Sequence, residues 1–188
     1  MHKEAHKLIF KHACIAASFL LMIGCGTAPF QPTLDQQHQA LEMIDLGTAC
    51  LRAGELSKAR AAFSLAYDLA ALPQALDGLG AVAFMEGDAG TAQSYFVRAY
   101  QSDATYVQAL SNLALLYESV GYASEARILY ERALREDPAN FRARNNFAVF
   151  LAELNPNREF NDIALSELRK AQVVLDHPII TDNIEQLE

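Results

Sequence analysis

Small residues return along the chain at nearly constant intervals: Gly47, Gly80, Ala114 and Ala148 are separated by 33, 34 and 34 positions. Twelve residues after each of the first three comes another small residue, at Ala59, Ala92 and Ala126. A bulky ring follows four later at Phe63, Phe96 and Tyr130, and an alanine three after that at Ala66, Ala99 and Ala133. Steps of four and then three put Ala59, Phe63 and Ala66 on one face of a helix. Gly54, Gly87 and Gly121 share one position between the two segments of each unit, where a left-handed residue ends a helix without a Cβ penalty. Asn155 stands there in a fourth unit. The pattern predicts consecutive pairs of antiparallel helices. Small residues let the two backbones approach, and the ring fills the seam toward the next pair. Self-similarity at this period is the mark of a stacked repeat.

The pattern resembles the tetratricopeptide repeat over residues 40–178. The third unit fits best, with ALSNLALLYESVGYASEARILYERALREDP from Ala109 to Pro138. In the first two, Met43 and Leu76 replace the usual aromatic, and Cys50 and Ala83 the usual Tyr. The fourth departs further: Arg144 stands where an apolar residue is expected, and four residues are inserted around Asn155 to Asp162. Its register returns at Ala164, Leu168 and Ala171. The resemblance implies an all-α fold, an α-solenoid over residues 34–178 with about four units at 40–72, 73–106, 107–140 and 141–178. A lone repeat cannot bury its apolar face, and at least three are needed, with modified ends. Thr33 and Gln36 have capping-box spacing, which starts the first helix there. Ile179, Ile180, Ile184 and Leu187, with Thr181 as N-cap, predict a short helix capping the last pair over residues 179–188.

Ahead of the repeats the pattern changes. MHKEAHKLIFKH is basic, Ala13 to Ile23 is an apolar run of eleven residues, and Gly24, Cys25 and Gly26 follow. This is the three-part layout of a signal peptide, and the run is shorter than the about 20 apolar residues a membrane span needs. The ending Leu21-Met22-Ile23-Gly24-Cys25 resembles a bacterial lipobox, although Met22 is less usual than Leu at its position. That likeness implies a signal peptide at 1–24 and a lipidated Cys25 as the new amino terminus. Several acyl chains, at about 0.8 kcal/mol per buried methylene, make a stable anchor. The linker 25–33 then reaches roughly 26 to 29 Å from Cys25 to Thr33, at about 3.3 to 3.6 Å per residue. In a bacterium with two membranes, Gly26 rather than Asp after the lipidated cysteine implies, on the same likeness, the periplasmic face of the outer membrane. Cys14 leaves with the signal peptide and Cys25 is consumed, so Cys50 alone remains and no intrachain disulfide can form. It is expected to be a small apolar core residue.

Charge narrows the partners. The chain has 23 acidic and 15 basic residues for a net charge of -8, and without the first 24 residues 22 acidic remain against 12 basic. Such a surface repels phosphate backbones, and no basic cluster with interleaved aromatics is present, so nucleic acid is not an expected partner. His38 and His177 are the histidines of the mature chain, and neither has a nucleophile or organising group beside it in the sequence. Paired Cys/His spacing and phosphate-binding glycine loops are missing. No catalytic residue, metal, cofactor or small-molecule substrate is therefore expected.

What remains is protein binding. In stacks of this family the first helices line a concave groove for peptides or partner helices. The resemblance places there Arg52, Asp77, Phe84, Met85, Gln108, Ser111, Asn112, Leu115, Arg142, Asn145, Asn146 and Val149. Phe84 and Met85 are equally compatible with packing. The amides of Asn112, Asn145 and Asn146 could bond a partner's backbone or serve the repeat itself. Asn112 and Arg142 match two positions of the family's carboxylate-holding groove, but Asp77, Ala81 and Asn146 depart from it. The phrase RARNNFAVFLAEL is similar to the pilotin-type lipoproteins of type IV pili, which implies a scaffold that assists assembly of a pilus or secretin. The alternatives are an adaptor recruiting cell-wall hydrolases and a structural subunit of an outer-membrane assembly or secretion machine. The inserted segment is expected to be neutral loop lengthening.

Overall fold

Each helix begins and ends where the local chemistry dictates. A computed structural model describes residues 31–154 and 158–188. The signal peptide, the anchor at Cys25, residues 26–30 of the linker that follows it and Asn155 lie outside the described residues. Thr33 Oγ1 accepts from the Gln36 N–H at 3.2 Å and Gln36 Oε1 accepts from the Thr33 N–H at 2.9 Å. This reciprocal capping box starts α1 (Leu34–Arg52). The other helices are α2 (Leu56–Ala70), α3 (Pro73–Met85), α4 (Ala89–Ser102), α5 (Gln108–Ser119), α6 (Ala123–Glu136), α7 (Phe141–Leu154), α8 (Arg158–Val174) and α9 (Pro178–Leu187). Pro73 opens α3, where its missing N–H costs nothing.

The shared glycines do what their position predicts. Gly54, Gly87 and Gly121 have φ of 72°, 81° and 86°, and a Cβ there would meet nothing within 4 Å. Backbone conformation, not crowding, selects glycine. After α1 the Gly54 N–H donates to the Leu51 carbonyl at 3.0 Å and the Glu55 N–H to the Cys50 carbonyl at 2.9 Å. That is a Schellman pair, and the same two bonds recur after α3 and α5.

The helices pack as antiparallel pairs α1/α2, α3/α4, α5/α6 and α7/α8, with α9 laid against α8 and α7. Ala59, Phe63 and Ala66, Ala92, Phe96 and Ala99, Ala126, Tyr130 and Ala133, and Ala164, Leu168 and Ala171 are all buried. Phe63 shows why the small positions are small: a Cβ on Gly47 would lie 2.7 Å from its ring, and one on Gly78 of the next pair 2.4 Å. The ring is wedged between two pairs, as Phe96 is against Gly80 at 2.6 Å. In the third pair Tyr130 lies 5.4 Å from the Phe150 ring and 5.8 Å from Phe147. Its hydroxyl donates to Glu118 Oε2 at 3.0 Å. Cys50 is buried with Ala59, Phe63, Leu79 and Val82.

Three details differ from the sequence reading. Arg144, out of place by repeat pattern, is ion-paired with Glu167 of α8 and donates to the Pro138 carbonyl at 2.8 Å, so it ties the fourth pair together. The inserted segment is not all loop: residues 158–162 are helical and lengthen α8 to 17 residues, against 15 for α2 and 14 for α4 and α6. The N-cap of α9 is His177 rather than Thr181. Its Nδ1 accepts from the Ile179 N–H at 3.2 Å, and Pro178 can then occupy the first turn.

Candidate functional site

The first helix of each pair faces one side of the stack, and α9 takes the place of a fifth first helix. Two cavities open along that side. The larger, about 810 Å³, is bounded by Asp45, Thr48 and Arg52 of α1, Gln74, Asp77 and Ala81 of α3, Tyr106 ahead of α5, Gln108 and Asn112 of α5, and Arg142 of α7. The smaller, about 280 Å³, lies toward the cap between Arg52, Gln108, Phe141, Arg142, Asn145, Asn146, Leu175, His177, Ile179 and Ile180. Arg52, Gln108 and Arg142 belong to both and form the junction.

A ladder of side-chain hydrogen bonds runs between the first helices. Asp77, buried at 8% exposure, accepts from Asn112 Nδ2 at 2.9 and 3.0 Å and from the Tyr106 hydroxyl at 2.9 Å. Gln108 Nε2 donates to Asn112 Oδ1 at 3.1 Å. One step on, Asn146 Nδ2 donates to the fully buried Ser111 Oγ at 3.2 Å. Asn183 of α9 then donates to Asn145 Oδ1 at 2.8 Å. Desolvation pushes the Asp77 carboxyl up to about 6, although Asn112, Tyr106 and the Arg142 charge pull the other way. Burial likewise drives the Tyr106 hydroxyl above its ordinary range. These groups hydrogen-bond to each other along the wall of the larger cavity.

The ladder changes the role of several expected contact residues. Ser111, Asn112, Asn145 and Asn146 join repeat to repeat through these bonds, while Asn112 and Asp77 also border the larger cavity and Asn145 and Asn146 the smaller. Phe84 packs with Ala83, Ala92, Phe96, Leu113 and Leu116, and Met85 is 53% exposed beside it. Leu115 is 38% exposed and borders neither groove cavity. Val149 lies with Asn183 and Leu187 in a separate hollow of about 260 Å³ between α7 and α9. Arg52, Gln108 and Arg142 alone of the set present side chains at the junction of the groove. Sequence reasoning missed Asp45, Thr48, Gln74, Tyr106 and the cap residues. Asp45, Thr48 and Arg52 follow three-and-four helical spacing, and treating α9 as a fifth first helix would have reached Ile179.

Among the described residues no group of three or more His, Cys, Asp or Glu could hold a metal ion, and no helix is long and apolar enough to cross a membrane. His38 lies on the open surface of α1, 3.4 Å from Glu42.

No protein-family model and no curated protein sequence matches the chain. Solved structures do. A Pseudomonas aeruginosa structure, from a functional characterisation of pilF, superposes with a TM-score of 0.63 at 17% identity, over 81% of this chain and 69% of that one. A thermophilic TPR protein of Thermus thermophilus gives 0.66 at 19% identity, over 79% and 80%. The first TPR of Spaghetti, solved bound to an HSP90 peptide, gives 0.53 at 22% identity, over 63% and 94%. Paired helices, a buried four-and-three register and these superpositions establish the fold as a tetratricopeptide-repeat solenoid.

Proposed function

We propose that this chain is a membrane-anchored scaffold that holds a protein or peptide partner in its concave groove and assists assembly of an envelope complex such as a type IV pilus or secretin. The observation that carries the reading is the groove itself: two connected cavities on the first-helix side, walled by a ladder that fixes the spacing of the repeats. A scaffold needs a preformed concave surface more than it needs reactive groups. The superposition on the pilF structure and the peptide bound to the Spaghetti repeat support the direction of this reading. Lipidation at Cys25 supplies the anchor and the periplasmic face of the outer membrane the location, both on the MIGC ending and Gly26.

The test places a photo-crosslinking residue at Ala81 or Gln108 in the groove and, as control, at the exposed Glu125 of α6. A pilus or secretin component captured from the groove positions and not from Glu125 is the expected result. Equal capture from Glu125 refutes groove binding. In the same cells Cys25→Ala should leave the chain unacylated and unprocessed or soluble. An unmodified terminus elsewhere, read by intact mass, removes the anchor from the proposal.

A further inference from the structure

The cap end of the groove carries an unbalanced charge. Arg60, Arg127, Arg132, Arg144 and Arg169 are ion-paired with glutamates. Arg52, Arg98, Arg135 and Arg142 make no ion pair among the described residues, although the Arg142 charge acts on Asp77 from across the larger cavity. Of these four, Arg52 and Arg142 border the smaller cavity, which has no carboxylate in its wall, in a chain of net charge -8. Arg142 is braced over the Phe141 ring at 5.1 Å from its centroid. The rest of the hollow is apolar where it meets the cap: Ile179 is 56% exposed and Leu175 40%, with Phe141 beside them.

Resting on the groove-binding reading above, we infer that this junction takes the side-chain carboxylate of an acidic residue within an extended partner segment, held between Arg52 and Arg142 with Gln108 beside it. The neighbouring residue of that segment is apolar and lies against Phe141, Leu175 and Ile179. A hollow of about 280 Å³ holds side chains and not a helix. Because the same three residues open into the 810 Å³ cavity, the segment continues past the carboxylate rather than ending there. Two charge contacts at the junction give specificity and association rate in an otherwise acidic, repelling protein.

The probe is a displayed library of random heptapeptides selected on the full chain in detergent, followed by synthesis of the selected peptide and its amide analogue, Asp→Asn or Glu→Gln. The expected motif is an internal acidic residue beside an apolar one. The amide analogue should bind about tenfold more weakly or worse, and so should the parent peptide on Arg52→Glu. Arg52→Glu with Arg142→Glu should reverse selection toward basic peptides. Arg52→Glu alone avoids the Arg142 effect on Asp77, and an unchanged melting curve confirms that it is folded. A selected motif without an acidic residue, or binding unaffected by the amide analogue or by Arg52→Glu, overturns the carboxylate site and leaves groove binding standing. Selection of no peptide, together with equal crosslinking from Glu125, overturns both.

Discussion

Replacing Asp77 with Asn keeps the shape of the side chain at the centre of the ladder while removing its charge. The carboxamide can still accept from Asn112 through Oδ1 and donate from Nδ2 to the Tyr106 oxygen, so no group need be stranded. What disappears is the cost of holding a carboxylate out of water. Burial raises the Asp77 carboxyl from 3.8 to about 6, and at about 1.4 kcal/mol per pH unit the ionised form is disfavoured by about 3 kcal/mol relative to the unfolded chain. The sign follows: the penalty is complete above pH 6 and fades as the pH falls from 6 toward 3.8. Wild-type stability should therefore gain on Asp77→Asn by about 1 to 2 kcal/mol between pH 7 and pH 5. Asp88 and Asp103 have carboxyls held low by bonds from Thr91 and Thr105, so they act below that window. Glu118, raised by burial, acts in the same direction but equally in both proteins. Urea unfolding followed by circular dichroism at pH 5, 6 and 7 measures the difference. Parallel stabilities of the two proteins across that range would show that Asp77 is not enclosed as described.

Two further predictions test the packing. Gly78→Ala should destabilise by about 1 to 3 kcal/mol or more, because Phe63 is pinned from the other side by Gly47 and cannot retreat. Gly90→Ala, whose Cβ would meet only Asp88 Oδ1 at 3.8 Å, should instead stabilise by up to about 1 kcal/mol, and thermal melts that move the same way for both would refute the wedge. Arg144→Ala should cost about 2 to 3 kcal/mol, less than the about 3 to 5 of a fully broken buried pair because Lys170 still holds Glu167 at 2.6 Å. Arg144→Leu with Glu167→Leu should recover most of that loss, and no recovery in urea unfolding would mean that the pair contributes more than desolvation takes away.

How far the sequence could be read depended on whether a residue's role is set within one repeat or between several. Ala59, Phe63 and Ala66 answer to helical periodicity and to a neighbour 33 or 34 positions away, and both are visible as spacing. Gly54, Gly87 and Gly121 answer to a backbone angle, and only glycine adopts it freely. The groove is different. Asn112 has the right address for a contact residue, and its occupation by Asp77, 35 positions back, depends on side-chain torsions that no period reports. Ser111 and Asn146 repeat the same 35-position step. Asn145 is taken by Asn183 across 38 positions, because α9 sits where a fifth first helix would, a placement hidden by the short cap sequence. The amides expected to greet a partner thus also link repeat to repeat. Joint replacement of Asn112 and Asn145 by Ala would accordingly loosen two inter-repeat links as well as any contact. Arg52 and Arg142 stand outside the ladder at the junction of the two cavities, so the proposed carboxylate contact requires no ladder bond to break.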